Sequence, residues 1–200
     1  MRKRLLGLAP LASVLITANI LAVSTLENRA LANNVNSKAS NNCITREDVM
    51  NAQKTWADAV VAIGKAYKNG GNYKALAADI VDKLYGYDEG TVLFKPTKVS
   101  QGQFRLTEEQ AVSYFVKGSI SEDKGFALQP WSKIRFENAG ISLGCKDATT
   151  MGNYYFTDAN SGKETKVEYT FGYRKNKDGN LIIDLHHSSL PFNPTENNFK

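Results

Sequence analysis

The stretch Lys166-Val-Glu-Tyr-Thr-Phe-Gly-Tyr-Arg174 decides the fold class of this chain. Large apolar side chains alternate in it with charged or small ones, which is the two-residue period of a β-strand with one buried and one wet face. Turn-forming residues precede it at 158–162 and follow it at 176–179. We therefore predict hairpins on both sides and an antiparallel sheet of four long strands, at residues 124–138, 147–157, 164–175 and 180–189.

The residues before this sheet have a helical period instead. Thr45 and Asp48 can form a capping box at the start of a long amphipathic helix that ends at Gly70-Gly71. Asn72 can cap a second helix and Thr107 a third. Helices followed by an antiparallel meander are typical of α+β proteins. We predict a cone-shaped, curved antiparallel sheet wrapped around N-terminal helices, the nuclear-transport-factor-2-like architecture, with other α+β layouts still open.

The beginning of the chain has the features of an export signal. Met1-Arg-Lys-Arg is basic, the run from Leu5 to Val23 is almost wholly apolar, and Ala30-Leu-Ala32 has the small-x-small pattern that signal peptidase accepts. An uncleaved anchor is the alternative, because an apolar run of ~19 residues can just span a bilayer.

The predicted organisation is a cleavable signal peptide at residues 1–32, a polar leader at 33–42 and a single α+β domain at 43–200. The domain is expected outside the cytoplasm, in the periplasm or a thylakoid lumen, with no membrane association after signal cleavage.

Composition excludes two other classes of protein. The chain is 42% hydrophobic and 22% charged, which is ordinary for a soluble domain and excludes a disordered chain. The formal net charge is +5, but four basic residues against one carboxylate in the first 32 residues account for +3 of it. The other 168 residues carry only +2, without a basic stripe, so a nucleic-acid partner is not expected.

Cys43 and Cys145 are the two cysteines of the chain. In an oxidising compartment they are the one pair available, so we predict a disulfide; two separate buried thiols are the alternative. The two histidines, His186 and His187, are adjacent, and no CxxC spacing occurs, which disfavours a zinc site.

The last predicted strand, Leu181-Ile-Ile-Asp-Leu-His-His-Ser-Ser-Leu-Pro191, begins apolar and ends polar. Uninterrupted alternation puts on one face Leu181, Ile183, Leu185, His187 and Ser189. His187 and Ser189 would then lie ~7 Å apart at the mouth of a cavity, near enough to hold one small polar ligand. Asp184 and His186 would face solvent or a partner. A core role for His187 is the alternative.

The same alternation disfavours metal chemistry, because His186 and His187 cannot point at one ion from an unbroken strand. No HxH, HExxH or GxSxG spacing occurs, so we expect neither a metal nor another cofactor, and no serine-hydrolase site. One of Tyr154 and Tyr155 must face inward, either as site residue or as core packing.

A set of motifs, in order, resembles the iota-class carbonic anhydrases of bacteria and algae. The motifs span most of residues 45–192. They are Phe94-Lys-Pro-Thr97, Ser113-Tyr-Phe-Val116, Glu122-Asp-Lys-Gly-Phe126, Pro130-Trp131, Met151-Gly-Asn-Tyr-Tyr-Phe156, Val167-Glu-Tyr-Thr-Phe-Gly-Tyr173 and Leu185-His-His-Ser-Ser-Leu-Pro191. That family is related to the association domain of calcium/calmodulin-dependent kinase and shares its cone-shaped α+β fold.

The resemblance implies reversible hydration of carbon dioxide to bicarbonate and a proton. By motif, the tyrosine, threonine, histidine and serine of the metal-independent members correspond to Tyr114, Thr97, His187 and Ser189. Tyr114, Thr97 and Ser189 would position water and the bicarbonate oxygens, and His187 would hold the hydroxyl network or shuttle the proton. Some algal members have been associated with manganese, so metal independence is an expectation for this chain.

Two other functions stay open from the sequence. One is a small apolar-ligand binding or isomerase module of the same fold, although an isomerase needs a carboxylate in its cavity and the alternation places Glu168 and Asp184 outward. The other is a non-catalytic assembly domain. Aromatic residues on both faces of some strands lead us to expect a homodimer.

Overall fold

A computed structural model of the chain describes residues 43–194. The predicted signal peptide at 1–32 and polar leader at 33–42 lie outside the described residues. The described part contains three α-helices, α1 (Arg46–Lys68), α2 (Tyr73–Leu84) and α3 (Glu108–Val116), with one short strand between α2 and α3 and the long strands after α3. Within residues 43–194, no helix is both long and apolar enough to cross a membrane.

Local capping starts each helix where the sequence predicts. The Thr45 hydroxyl accepts from the Asp48 backbone N–H while the Asp48 carboxylate accepts from the Thr45 N–H, so the predicted capping box is present. The side chains of Asn72 and Thr107 accept from backbone N–H groups three residues ahead. These bonds satisfy donors that the first turn of a helix leaves without partners.

The strands form one five-stranded sheet in the spatial order β1-β5-β4-β3-β2. Its strands are β1 (Leu93–Lys95), β2 (Trp131–Leu143), β3 (Asp147–Asp158), β4 (Glu164–Lys175) and β5 (Leu181–Ser189). All neighbours are antiparallel except β1, which runs parallel to β5. The α+β class and the antiparallel meander predicted from the sequence are confirmed.

The first long strand differs from its predicted bounds of 124–138. It begins at Trp131 because Gly125 adopts a φ of 79° and a 3₁₀ turn, Phe126–Leu128, occupies the residues before it. The left-handed backbone of a glycine ends extended structure, and a β-period read across such a turn is spurious.

The sheet curves around α1. The Trp56 ring of α1 lies within 6.0 Å, centroid to centroid, of one ring from each of four consecutive strands; these are Phe136, Tyr154, Phe171 and His186. In a flat sheet four strands span ~14 Å at ~4.8 Å each, too far for one indole to contact them all. The concave face therefore wraps around the helix, as predicted.

A β-bulge in β5 reverses the predicted faces of that strand. Tyr173 of β4 pairs with Ile183, but the preceding Gly172 pairs with Leu185, so Asp184 is an extra residue. One extra residue moves every later side chain to the other face. The structure thus contradicts the predicted orientation of the strand end.

Cys43 and Cys145 are both disulfide-bonded, which confirms the predicted bridge. Next to them, the Ile44 backbone N–H donates to the Gly144 carbonyl at 3.3 Å. The bridge closes a loop of roughly 100 residues, for which chain entropy gives at most ~4.7 kcal/mol.

Candidate active site

Four side-chain hydroxyls converge where β1 and β5 end; we call Thr97, Tyr114, Tyr154 and Ser188 the hydroxyl cluster. Thr97 Oγ1 and Ser188 Oγ lie 2.7 Å apart. Their strands are parallel neighbours in register, with Lys95 opposite His187, so the residues just beyond are brought together. Tyr114 comes from α3 and interacts with Thr97, and Tyr154 comes from β3 and interacts with both Ser188 and Thr97.

The cluster is mostly withdrawn from water. Tyr114, Tyr154 and Ser188 are buried, whereas Thr97 is half-buried. Burial raises the pKa of Tyr114 and the pKa of Tyr154 above the ordinary phenol value. Both phenols therefore keep their protons at neutral pH and act as hydrogen-bond donors.

His186 lies directly behind the cluster. Its Nδ1 is 2.9 Å from the Tyr85 hydroxyl, and its Nε2 faces the Tyr154 hydroxyl at 3.5 Å. The ring stacks on Phe94 with centroids 4.6 Å apart. Burial, with a smaller contribution from nearby His187, holds the pKa of His186 well below that of a free imidazole. His186 is consequently neutral at neutral pH.

Of the four residues predicted from the sequence, the structure brings together Thr97 and Tyr114. His187 and Ser189 lie elsewhere: His187 is exposed, and Ser189 Oγ donates to the exposed Glu168 carboxylate at 3.3 Å. Both are on the convex face of the sheet, because the bulge at Asp184 shifts the alternation.

The same shift places His186 and Ser188, predicted to face outward, inside. Phe171 pairs with His186 and Tyr169 with Ser188, and both partners belong to the buried face of β4. One sequence signal was available. Gly172 lies inside β4, and a Cβ there would meet Asp184 Oδ1 at 2.6 Å. A glycine inside a strand marks such bulges and close approaches.

The structure also shows which of Tyr154 and Tyr155 faces inward. Tyr154 is buried in the cluster. Tyr155 lies on the opposite face of the sheet, where the Arg135 guanidinium carbon is 3.7 Å from the centroid of the Tyr155 ring. Tyr85, which follows α2, was missed because no local pattern places it beside His186.

A carboxylate anchors the loop that follows Thr97. Glu122 accepts from the backbone N–H groups of Ser100, Gln101 and Gly102, at 2.9, 3.3 and 2.8 Å. These donors, Ser100 first, lower the pKa of Glu122 to about 2. The loop is held by a charge that stays ionised throughout the physiological range.

A buried ion pair lies beneath this loop. Arg105 Nη2 is 2.5 Å from Asp123 Oδ1, and neither side chain has exposed surface. Ser113 Oγ of α3 donates to Asp123 Oδ2 at 2.6 Å, and the Arg105 N–H donates to the Phe94 carbonyl at 2.8 Å. The pair thus joins the loop, α3 and β1, the three segments that carry or flank Thr97 and Tyr114.

The part of the chain from 43 to 194 does not group three histidine, cysteine or acidic side chains at distances suited to a metal ion. The hydroxyl cluster supplies hydrogen-bond donors and acceptors, and the neutral imidazole of His186 lies behind them. That arrangement can orient water and bind a small oxyanion.

Comparison with known proteins agrees with this chemistry. A family model described as "Metal-independent carbonic anhydrase" matches residues 47–190. The chain belongs to this family. A carbonic anhydrase of the same description from Nostoc sp. (strain PCC 7120) is 46% identical over 157 residues, which is 76% of this chain and 76% of that protein.

A crystal structure of a cyanobacterial iota-carbonic anhydrase complexed with bicarbonate superposes with a TM-score of 0.73. It is 45% identical and covers 76% of this chain and 95% of that one. A weaker likeness is to an NTF-2 like protein of unknown function from Shewanella oneidensis, at 14% identity over 73% of this chain and 99% of that one, with a TM-score of 0.45. The resemblance to the iota class predicted from the motifs is confirmed.

Proposed function

We propose that this carbonic anhydrase hydrates carbon dioxide at the hydroxyl cluster. The observation that carries the proposal is the 2.7 Å contact between Thr97 and Ser188 at the part-buried meeting point of four hydroxyls. The cyanobacterial relative was crystallised with bicarbonate, the anion that this reaction produces.

The reaction needs a water made nucleophilic next to the carbon of carbon dioxide. In the contact between Thr97 and Ser188 either oxygen can donate, which leaves the pair able both to accept a hydrogen bond from water and to donate one to it. A water held there attacks the carbon, so that a new C–O bond forms while the electron pair of one C=O π bond moves onto its oxygen, and the attacking water gives up one proton to solvent water. The products are bicarbonate and a proton. The proton leaves toward solvent at Thr97, the half-buried member of the cluster.

Negative charge grows on the two oxygens of carbon dioxide during the attack. Tyr114 and Tyr154, whose raised pKa values keep both phenols protonated, can donate to these oxygens. Such donors stabilise the charge more strongly in a buried site than in water.

The surrounding rings suit an apolar substrate. Tyr114 stacks on Phe126 with centroids 5.4 Å apart, and Tyr154 meets Phe156 edge to face at 4.7 Å. Carbon dioxide has no net dipole, and these rings keep bulk water from competing for the donors.

We expect carbon dioxide hydration in a stopped-flow assay with chelator-treated protein, at a rate that zinc or manganese does not raise. Thr97→Val keeps the side-chain shape, removes one hydroxyl and should lower kcat at least tenfold, which is about 1.4 kcal/mol. Activity that chelation abolishes and metal restores would contradict metal independence for this chain. A wild-type rate equal to buffer would contradict the function itself.

The alternative of an apolar-ligand or isomerase module is not favoured. Glu168 is exposed on the convex face, and Asp184 is the bulge residue next to Arg174. Neither carboxylate reaches the hydroxyl cluster, so the base that such an isomerase needs is not supplied by them.

Export is a further part of the proposal. The basic start, apolar run and Ala30-Leu-Ala32 support removal of residues 1–32, and the Cys43–Cys145 disulfide fits an oxidising compartment such as the periplasm. The intact mass of the periplasmic protein should correspond to a chain that begins at Asn33 and carries no free thiol. A mass that includes Met1 would contradict cleavage.

A homodimer through the convex face of the sheet is proposed as well. Met151 of β3 and Leu93 of β1 are 55% and 56% exposed on that face, and a second copy packed against the sheet would cover both side chains. Light scattering should give twice the mass of one chain, and Met151→Glu should shift it toward the monomer. Met50→Glu on α1, where Met50 is 52% exposed, is the matched control. A monomeric wild type at micromolar concentration would contradict the proposal.

A further inference from the structure

A chain of buried polar groups continues from His186 away from the hydroxyl cluster. The Trp56 indole N–H donates to the Tyr85 hydroxyl at 2.9 Å, and the Tyr85 hydroxyl lies 2.9 Å from His186 Nδ1. All three side chains are at most 2% exposed. Groups buried this deeply need internal hydrogen-bond partners, so the direction of each bond can be worked out from donor and acceptor capacity.

The direction of the bond between Trp56 and Tyr85 is certain, because the indole N–H can only donate. The Tyr85 oxygen therefore accepts, and its own proton must go to an acceptor. The acceptor within reach is His186 Nδ1. If Nδ1 carried a proton instead, Tyr85 would receive two donors and its buried O–H would be left without an acceptor, which is unfavourable.

The tautomer of His186 follows. A neutral imidazole has one N–H; with Nδ1 accepting from Tyr85, the proton is on Nε2, which faces the Tyr154 hydroxyl at 3.5 Å. Tyr154 can then accept from His186 and donate its one proton into the cluster, to Ser188 or Thr97 before substrate binds and to an oxygen of carbon dioxide during the reaction. The bonds run in one direction from the indole to the cluster.

We infer that Tyr85 is a positioning residue of this enzyme, whose hydroxyl holds His186 in the Nε2–H tautomer so that the imidazole supplies a donor, and not a base, to the hydroxyl cluster. The inference rests on the proposed function and deepens it. Because Nδ1 is occupied and the chain ends on an indole that cannot accept, no proton of the reaction leaves through His186. The proton departs on the Thr97 side.

The test combines a spectroscopic measurement with kinetics. His186 and His187 are the two histidines of the chain, so a His187→Ala spectrum assigns the ring signals of each in a long-range ¹H–¹⁵N experiment without substrate. We expect the neutral Nε2–H tautomer for His186 at neutral pH. In Tyr85→Phe the Nε2–H share should fall, and kcat should fall at least fivefold with KM within twofold.

Tyr87→Phe is the matched control. Tyr87 stacks on Tyr85 with centroids 6.0 Å apart, but its hydroxyl donates to the Arg105 carbonyl and not to His186. This variant should keep the tautomer and stay within twofold in kcat.

An Nδ1–H tautomer or an imidazolium in the wild type would overturn the inference, and so would a Tyr85→Phe variant that loses activity with an unchanged tautomer. The wild-type spectrum decides even where Tyr85→Phe does not fold. A wild type with the expected tautomer and no hydration activity would overturn the proposed function alone.

Discussion

Ser188→Ala and His186→Ala should each lower carbon dioxide hydration more than tenfold, whereas Ser189→Ala and His187→Ala should stay within twofold. Ser188 supplies one of the two oxygens of the 2.7 Å contact, and His186 supports the Tyr154 hydroxyl. Tenfold corresponds to about 1.4 kcal/mol of transition-state stabilisation. Stopped-flow kinetics on the four purified variants is the measurement.

The two pairs are chemically identical and differ in the face of β5 from which they project. His187 is exposed, and Ser189 bonds to Glu168 on the convex face, so their truncation removes nothing from the cluster. Melting temperatures separate loss of fold from loss of chemistry, which matters for buried His186. Sensitivity of the odd-numbered pair with an unaffected even-numbered pair would mean that the bulge at Asp184 is misplaced.

Asp123→Asn should lower the free energy of unfolding by up to about 3–5 kcal/mol, the usual cost of breaking a buried ion pair by removing one partner. Asparagine keeps the shape of aspartate but removes the nearer carboxylate beside the fully buried Arg105, which leaves Glu122 at 3.7 Å as the remaining acidic partner. Because the pair joins the loop, α3 and β1, hydration activity should fall together with stability. Denaturant unfolding followed by circular dichroism measures the change.

Asp58→Asn is the control for the ion pair. Asp58 pairs with Lys54 on the surface of α1, with both side chains more than half exposed. Exposed pairs contribute ~0.2–1 kcal/mol, so this variant should unfold almost like the wild type. An Asp123→Asn protein as stable as Asp58→Asn would show that water or another group compensates Arg105.

Local signals in the sequence sufficed for the helices and for most of the sheet. The capping box of Thr45 and Asp48 involves residues three apart, and the alternation around Tyr169 repeats every two residues, so both patterns are complete within a short segment. The β-strand start expected at residue 124 failed because Gly125 turns the chain before Trp131.

Some residues of the candidate site could likewise be predicted from local motifs, and others could not. Thr97 and Tyr114 were placed by their motifs, and the structure brings both to the cluster. For the histidine and serine the sequence predicts His187 and Ser189, whereas the structure places His186 and Ser188, the same residue types one position earlier, beside the cluster. A single inserted residue, Asp184, has no signature of its own in β5; its cause is the close approach of Gly172 on the neighbouring strand.

By itself, the sequence determined the helix starts, the alternating strands, the pair of cysteines and the family motifs, since each of these depends on neighbours along the chain or on residue type alone. Tertiary structure alone decided that His186 and Ser188, and not His187 and Ser189, face the hydroxyl cluster, and that Tyr85 reaches His186 across 101 residues of sequence. The physical reason is that strand register is set by pairing with another strand, so one bulged residue reverses which side chains are buried.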